Sequence, residues 1–101
     1  MTPQTASVRI NRELAALEQK LAEGLEVAAS LTATLVRARA DTDTPAATGH
    51  ELLLRLSNVQ ASLLKASGET SRVHTGLLNI GRELGIVDEY CTQPSGIVRA
   101  A

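Results

Sequence analysis

Apolar and small residues recur along the first third of the chain at alternating intervals of four and three. This spacing aligns one side of an α-helix, as in the heptad repeat of coiled coils. Thr2 followed by Pro3 is typical of a helix start, with Thr5 as an alternative. The pattern predicts a helix over residues 5–39. The predicted stripe is Ile10, Leu14, Leu17, Leu21, Gly24, Ala28, Leu31 and Leu35.

A second stripe with the same spacing predicts a helix over residues 48–84. Thr48 and Glu51 have the spacing of a capping box, although a start at Thr44 is also possible. Gly85 follows the stripe and predicts an end at a left-handed glycine. The second stripe is Leu52, Leu56, Val59, Leu63, Ala66, Thr70, Val73, Leu77, Ile80 and Leu84.

Residues 40–47 interrupt the pattern with aspartates, threonines and Pro45, which favour turns. A linker of this length suits antiparallel neighbours. We therefore predict an all-α fold, an antiparallel two-helix hairpin resembling a coiled coil, over residues 1–86. Residues 87–101 have no helical period and are expected to form an extended or flexible tail. The predicted register pairs Leu35 with Leu52, Ala28 with Val59, Gly24 with Leu63, and Ile10 with Leu77.

Two helices that share one seam leave most of their surface in water. Further aliphatic residues lie beside both stripes, and we expect two hairpins to dimerise through them into a four-helix bundle. The alternative is that they are single exposed apolar residues, which are common on proteins. The candidates for protein contact are Leu25, Val36, Leu53, Leu64 and Leu78, with Tyr90, Ile97 and Val98 in the tail.

The charge balance argues against a polyanionic partner. Ten basic and eleven acidic side chains give a net charge of −1, and Tyr90 is the only aromatic residue for stacking on bases. Nucleic acid is therefore an unlikely partner. The alternative hypothesis is a small dimeric nucleic-acid-binding regulator that uses arginines at the open end of the hairpin, where acidic residues also lie. These arginines are Arg9, Arg12, Arg72 and Arg82.

Motifs for catalysis and metal binding are missing from the sequence. Neither His50 nor His74 follows a glutamate by three positions, and the two lie about 36 Å apart along one helix. The predicted register places His74 opposite Glu13. Cys91 has no histidine near it in sequence, and no glycine-rich phosphate loop occurs. We expect no enzymatic activity, no cofactor and no metal.

These observations predict a non-catalytic interaction protein, acting as an adaptor, chaperone, inhibitor or assembly component. It is expected to self-associate as a homodimer and to bind a protein partner of unknown identity. The first residues lack the basic and apolar regions of a signal peptide, and no stretch of about 18 apolar residues occurs. With a single cysteine, the chain is expected in the cytoplasm and away from membranes.

Overall fold

Two long helices form the part of the chain described by the computed structural model, residues 1–85. Helix α1 spans Pro3–Asp41, and helix α2 spans His50–Glu83. They pack antiparallel in a rod that measures 62 × 24 × 21 Å. The predicted all-α hairpin is confirmed, whereas the four-helix bundle needs a second copy and stays a prediction. The predicted tail, residues 87–101, lies outside the described residues.

Both predicted end signals of the hairpin are confirmed. The Thr2 Oγ1 accepts a hydrogen bond from the backbone N–H of Thr5 at 3.1 Å, and Pro3 opens α1. At the other end, Gly85 has a φ of +72°. The left-handed backbone suits glycine, which has no Cβ to clash, and it stops α2.

The connection between the helices is tied down by side chains from α1. The Arg39 guanidinium donates to the carbonyl oxygens of Ala46 and Thr48. The Thr42 hydroxyl donates to the Ala38 carbonyl oxygen at 2.8 Å and closes the last turn of α1. Asp43 has a φ of +54°, a left-handed conformation that aspartate adopts more readily than most residues.

The predicted capping box of α2 is wrong. Gly49, with a φ of +76°, occupies the N-cap position, and no side chain caps the helix there. Thr48 is therefore one residue too early to cap α2. Glu51 instead pairs with Arg55 one turn later, at 3.1 Å.

Alternate positions of each predicted stripe form the central row of the seam between the helices. The central row of the seam consists of buried or half-buried residues, and its members are Leu14, Leu21, Ala28 and Leu35 of α1 with Leu56, Leu63, Thr70 and Leu77 of α2. The predicted contact between Gly24 and Leu63 is confirmed, since a Cβ built on Gly24 would lie 3.6 Å from the Leu63 Cδ2.

Most of the other stripe positions are wrongly predicted, because both helices are turned by one heptad position, about 50°, although Gly24 and Ala66 stay half-buried. The second row of the seam is formed by the residues that follow the predicted ones, namely Asn11, Glu18, Leu25, Thr32 and Arg39 with Leu53, Gln60, Ser67, His74 and Gly81. The core is correspondingly thin. Only Leu14, Ala28, Thr70 and His74 are less than about a tenth exposed among the described residues.

Two glycines provide a matched test of this backbone. Gly68 lies inside α2 with nothing within 4 Å of a built Cβ, whereas Gly49 needs its left-handed conformation. We expect Gly68→Ala to raise the free energy of unfolding by about 0.5–1 kcal/mol, and Gly49→Ala to lower it by about 1 kcal/mol. Urea unfolding at one fixed protein concentration measures both. Equal shifts of the same sign would contradict the assigned backbone.

Candidate interaction face

Large aliphatic side chains displaced from the seam remain on the surface. Ile10, Leu17 and Leu31 of α1 are 41 to 49% exposed. On α2, four more aliphatic residues are 47 to 59% exposed. We call the set the apolar face, and it consists of Ile10, Leu17, Leu31, Leu52, Val59, Val73 and Ile80.

Both helices present this row to the same side of the hairpin. In each helix every member of the apolar face precedes a residue of the second seam row by one position, as Leu17 precedes Glu18 and Val73 precedes His74. Because the helices run antiparallel, the same turn about each axis carries the two rows to one side. One cavity at the open end confirms this, since Ile10 and Ile80 both line it.

Two contacts across the seam show which aliphatic residues of α1 lie beside which aliphatic residues of α2. The Gln60 Nε2 donates to the Thr32 Oγ1 at 2.9 Å, so the preceding residues Val59 and Leu31 share a level. The His74 Nδ1 lies 3.4 Å from the Glu18 Oε1, which aligns Val73 with Leu17 in the same way. Successive pairs along the rod are separated by one or two heptads, and each heptad spans about 10 Å of helix. The apolar face is therefore a ladder of aliphatic pairs along the rod.

The seam contains polar groups that lie closer to the centre than these aliphatic residues. The Thr32 hydroxyl donates to the Ala28 carbonyl oxygen at 2.9 Å, and the Thr70 hydroxyl donates to the Ala66 carbonyl oxygen at 2.8 Å. These bonds satisfy hydroxyl groups that are removed from water. Both bonds lie within a single helix, whereas the polar contacts described above, between Gln60 and Thr32 and between His74 and Glu18, cross the seam.

His74 is the least favourably placed polar group in the seam. The residue is 9% exposed, and its Nε2 is buried with no hydrogen-bond partner in residues 1–85. The prediction that His74 lies opposite Glu13 is wrong. In the structure Glu18 is the residue beside His74, and Glu13 pairs with Arg9 at 3.2 Å on the surface.

The contact residues predicted from sequence are divided between the seam and the surface. Leu25 and Leu53 are half-buried in the second seam row, and Leu78 is also half-buried. Val36 and Leu64 are 45% and 59% exposed. Each follows a central seam residue by one position, so they lie on the side opposite the apolar face. The other three candidates, Tyr90, Ile97 and Val98, lie outside the described residues, and all eight stay predictions as partner contacts.

The four arginines of the alternative hypothesis are exposed and lie in the open half of the hairpin. They are Arg9, Arg12, Arg72 and Arg82. The Arg9 charge is already compensated by the ion pair with Glu13. Their use in nucleic-acid binding stays a prediction.

Exposed ion pairs lie on the outer sides of the helices. Lys20 lies 3.4 Å from Glu23, and a hydrogen bond from Gln19 together with the Lys20 charge lowers the pKa of Glu23. Pairs of this kind are screened by water and stabilise a helix by only about 0.3–0.5 kcal/mol each. The hairpin therefore does not derive its stability mainly from surface charge.

Other kinds of site receive no support in the described region. Residues 1–85 contain no group of three or more His, Cys, Asp or Glu side chains that could hold a metal ion. Within the same residues, neither helix has an apolar stretch long enough to cross a lipid bilayer. No protein-family model matches the chain, and comparisons with curated proteins and with solved structures found no match.

The buried histidine gives a direct test of the seam. His74→Leu removes a buried nitrogen without a partner and adds apolar area, so we expect the free energy of unfolding to rise by about 1–2 kcal/mol. The control is His50→Leu at the exposed start of α2, which should change stability by less than about 0.5 kcal/mol. Thermal or urea unfolding provides the measurement. A clear loss of stability in the His74 variant would show that its pairing with Glu18 outweighs the cost of burial.

Proposed function

We propose that the protein is a non-catalytic helical interaction protein that self-associates through its apolar face, so that two hairpins form a four-helix bundle. One observation carries the proposal. Seven large aliphatic side chains lie half-exposed on a single face while His74 and Gln60 occupy the seam beside them. A hairpin that remained alone in water would gain by turning those aliphatic residues inward, at about 25 cal/mol for each Å² buried.

The orientation of the helices fits the needs of a four-helix bundle. Each helix of a bundle contacts two neighbours and therefore uses a wider apolar stripe than a two-stranded coil. In this hairpin the central seam row, exemplified by Leu14 and Leu56, would lie near the bundle axis. The second row contacts the helix of the same chain, and the apolar face is left for the second hairpin.

The dimensions of the face also support a second copy as the occupant. The apolar face runs along a rod 62 Å long and 24 Å wide, whose side has room for the roughly 800 Å² per partner that stable interfaces bury. In a dimer with two-fold symmetry, both copies use the same face, so the aliphatic pairs of one hairpin pack against the aliphatic pairs of the other. An amphipathic helix of another protein presents the same chemistry, and the bundle could exchange one hairpin for such a partner.

The proposed role follows from this surface chemistry. A face made of aliphatic side chains binds by shape and apolar burial, which is how adaptors, chaperones, inhibitors and assembly components recognise proteins. A cytoplasmic location, in keeping with the single cysteine, forms part of this proposal.

Charge substitutions on opposite sides of the rod test the proposal. We expect the protein to sediment as a dimer at micromolar concentration and the double variant Leu17→Glu with Val73→Glu to weaken dimerisation by more than about a hundredfold, since it places four charges in an apolar interface. The matched control is Leu64→Glu, which changes a leucine on the other side that is 59% exposed, against 49% for Leu17. Sedimentation velocity over a concentration series measures the dissociation constants.

Two results would refute the assignment of this face. The first is a monomeric protein throughout the concentration series. The second is loss of the dimer in Leu64→Glu with a dimer retained in the double variant, which would move the interface to the opposite side. Circular dichroism checks that each variant remains helical.

A further inference from the structure

An apolar groove lies at the open end of the hairpin, where α1 begins and α2 ends. Its volume is about 240 Å³. Three of its side chains, Ile10, Ile80 and Leu84, are 41, 52 and 68% exposed. We call it the open-end groove, and its main walls are Pro3, Ala6 and Ile10 of α1 with Leu77 and Ile80 of α2 and Leu84, the C-cap residue of α2.

The chain leaves α2 at the wall of this groove and turns sharply. The Leu84 N–H donates to the Ile80 carbonyl oxygen at 3.0 Å, and the Gly85 N–H donates to the Arg82 carbonyl oxygen at 3.2 Å. Gly85 then adopts its left-handed conformation. Where a helix ends this way, the residue after the glycine commonly packs back on a side chain of the last helical turn. Here that residue is Ile86, and Ile80 in the last turn lines the groove.

We propose that Ile86 and Val87 fill the open-end groove of their own hairpin. Both are aliphatic and follow Gly85 directly. The next residues, Asp88 and Glu89, are charged and would return the chain to water. The segment therefore has two apolar residues that can be buried in the groove, followed by two charged residues that stay in water.

The position of the segment favours its own hairpin over a second copy. Ile86 lies two positions after Leu84, a groove residue, so closing this contact orders few residues and costs little chain entropy. The tethered segment has a high effective concentration at the groove, and a segment from another molecule must first associate. The occupant in the same molecule is therefore preferred.

Amide hydrogen exchange on the full chain measures this docking. We expect the amides of Ile86 and Val87 to exchange about tenfold more slowly in the full chain than in the isolated N-acetylated peptide 86–101, because the docked side chains leave water.

Variants of the groove separate docking from a simple helix cap. Ile10→Ser changes the wall contributed by α1, far in sequence from Ile86, and we expect it to remove the slow exchange. The control is Leu54→Ser, which changes a 55% exposed leucine near the other end of the rod and should leave exchange unchanged. If exchange responds to Ile80→Ser but not to Ile10→Ser, the contact is local to α2 and the proposed docking is wrong.

The docking and the proposed dimer are tested separately. In the double variant Leu17→Glu with Val73→Glu, the slow exchange should persist, since neither residue lines the groove. Protection that grows with protein concentration, or that disappears in this variant while the wild type dimerises, would assign the groove to a segment of a second copy. Exchange in the full chain equal to that of the peptide would overturn the proposal outright.

Discussion

The rotation of each helix about its own axis is the constraint on which the rest of the structure depends. The central row of the seam, exemplified by Leu14 and Leu63, has a row on either side, each about 50° away. Only one of the two rows can face the other helix. In this hairpin it is the row that contains His74 and Gln60, and the aliphatic row remains outside. The seam chemistry and the surface chemistry are two consequences of that one choice.

Local sequence signals were sufficient for most of the fold. The heptad spacing, the Thr2 cap and the Gly85 stop depend on residues within one or two turns of each other, so they can be read from the chain. The capping box at Thr48 failed for a local reason as well, because the neighbouring Gly49 takes the N-cap position. The rotation of each helix about its own axis could not be predicted from such local signals. If a helix has a single neighbour, the most apolar seam contains Leu17 rather than Glu18. If a helix contacts two neighbours, a wider apolar stripe is shared between them, and the best rotation is a different one.

The polar seam contributes specificity that aliphatic packing lacks. Leucine and valine rows can slide by a heptad with little loss, whereas the hydrogen bond between Thr32 and Gln60 exists in one register only. The approach of His74 to Glu18 selects the same register. A signal for this was present in the sequence, because Thr32, Gln60, Glu18 and His74 recur at heptad spacing beside the aliphatic rows. We infer that the seam sets the alignment of the helices, while the apolar face holds most of the area still available for burial.

The open-end groove and the rest of the apolar face lie at different positions along the rod, so different segments of protein can cover them. Gly85 lies at the open end, and the proposed docking uses only the two residues that follow it in the sequence. Val59, which lies beside Leu31, is about 30 Å from the groove residue Ile80 along α2, at 1.5 Å per residue. In the proposed docking, the two aliphatic residues after Gly85 stay at the open end and do not reach Val59 or Leu52. In the proposed dimer, the second hairpin runs alongside the rod, so it covers the middle and the loop end of the apolar face.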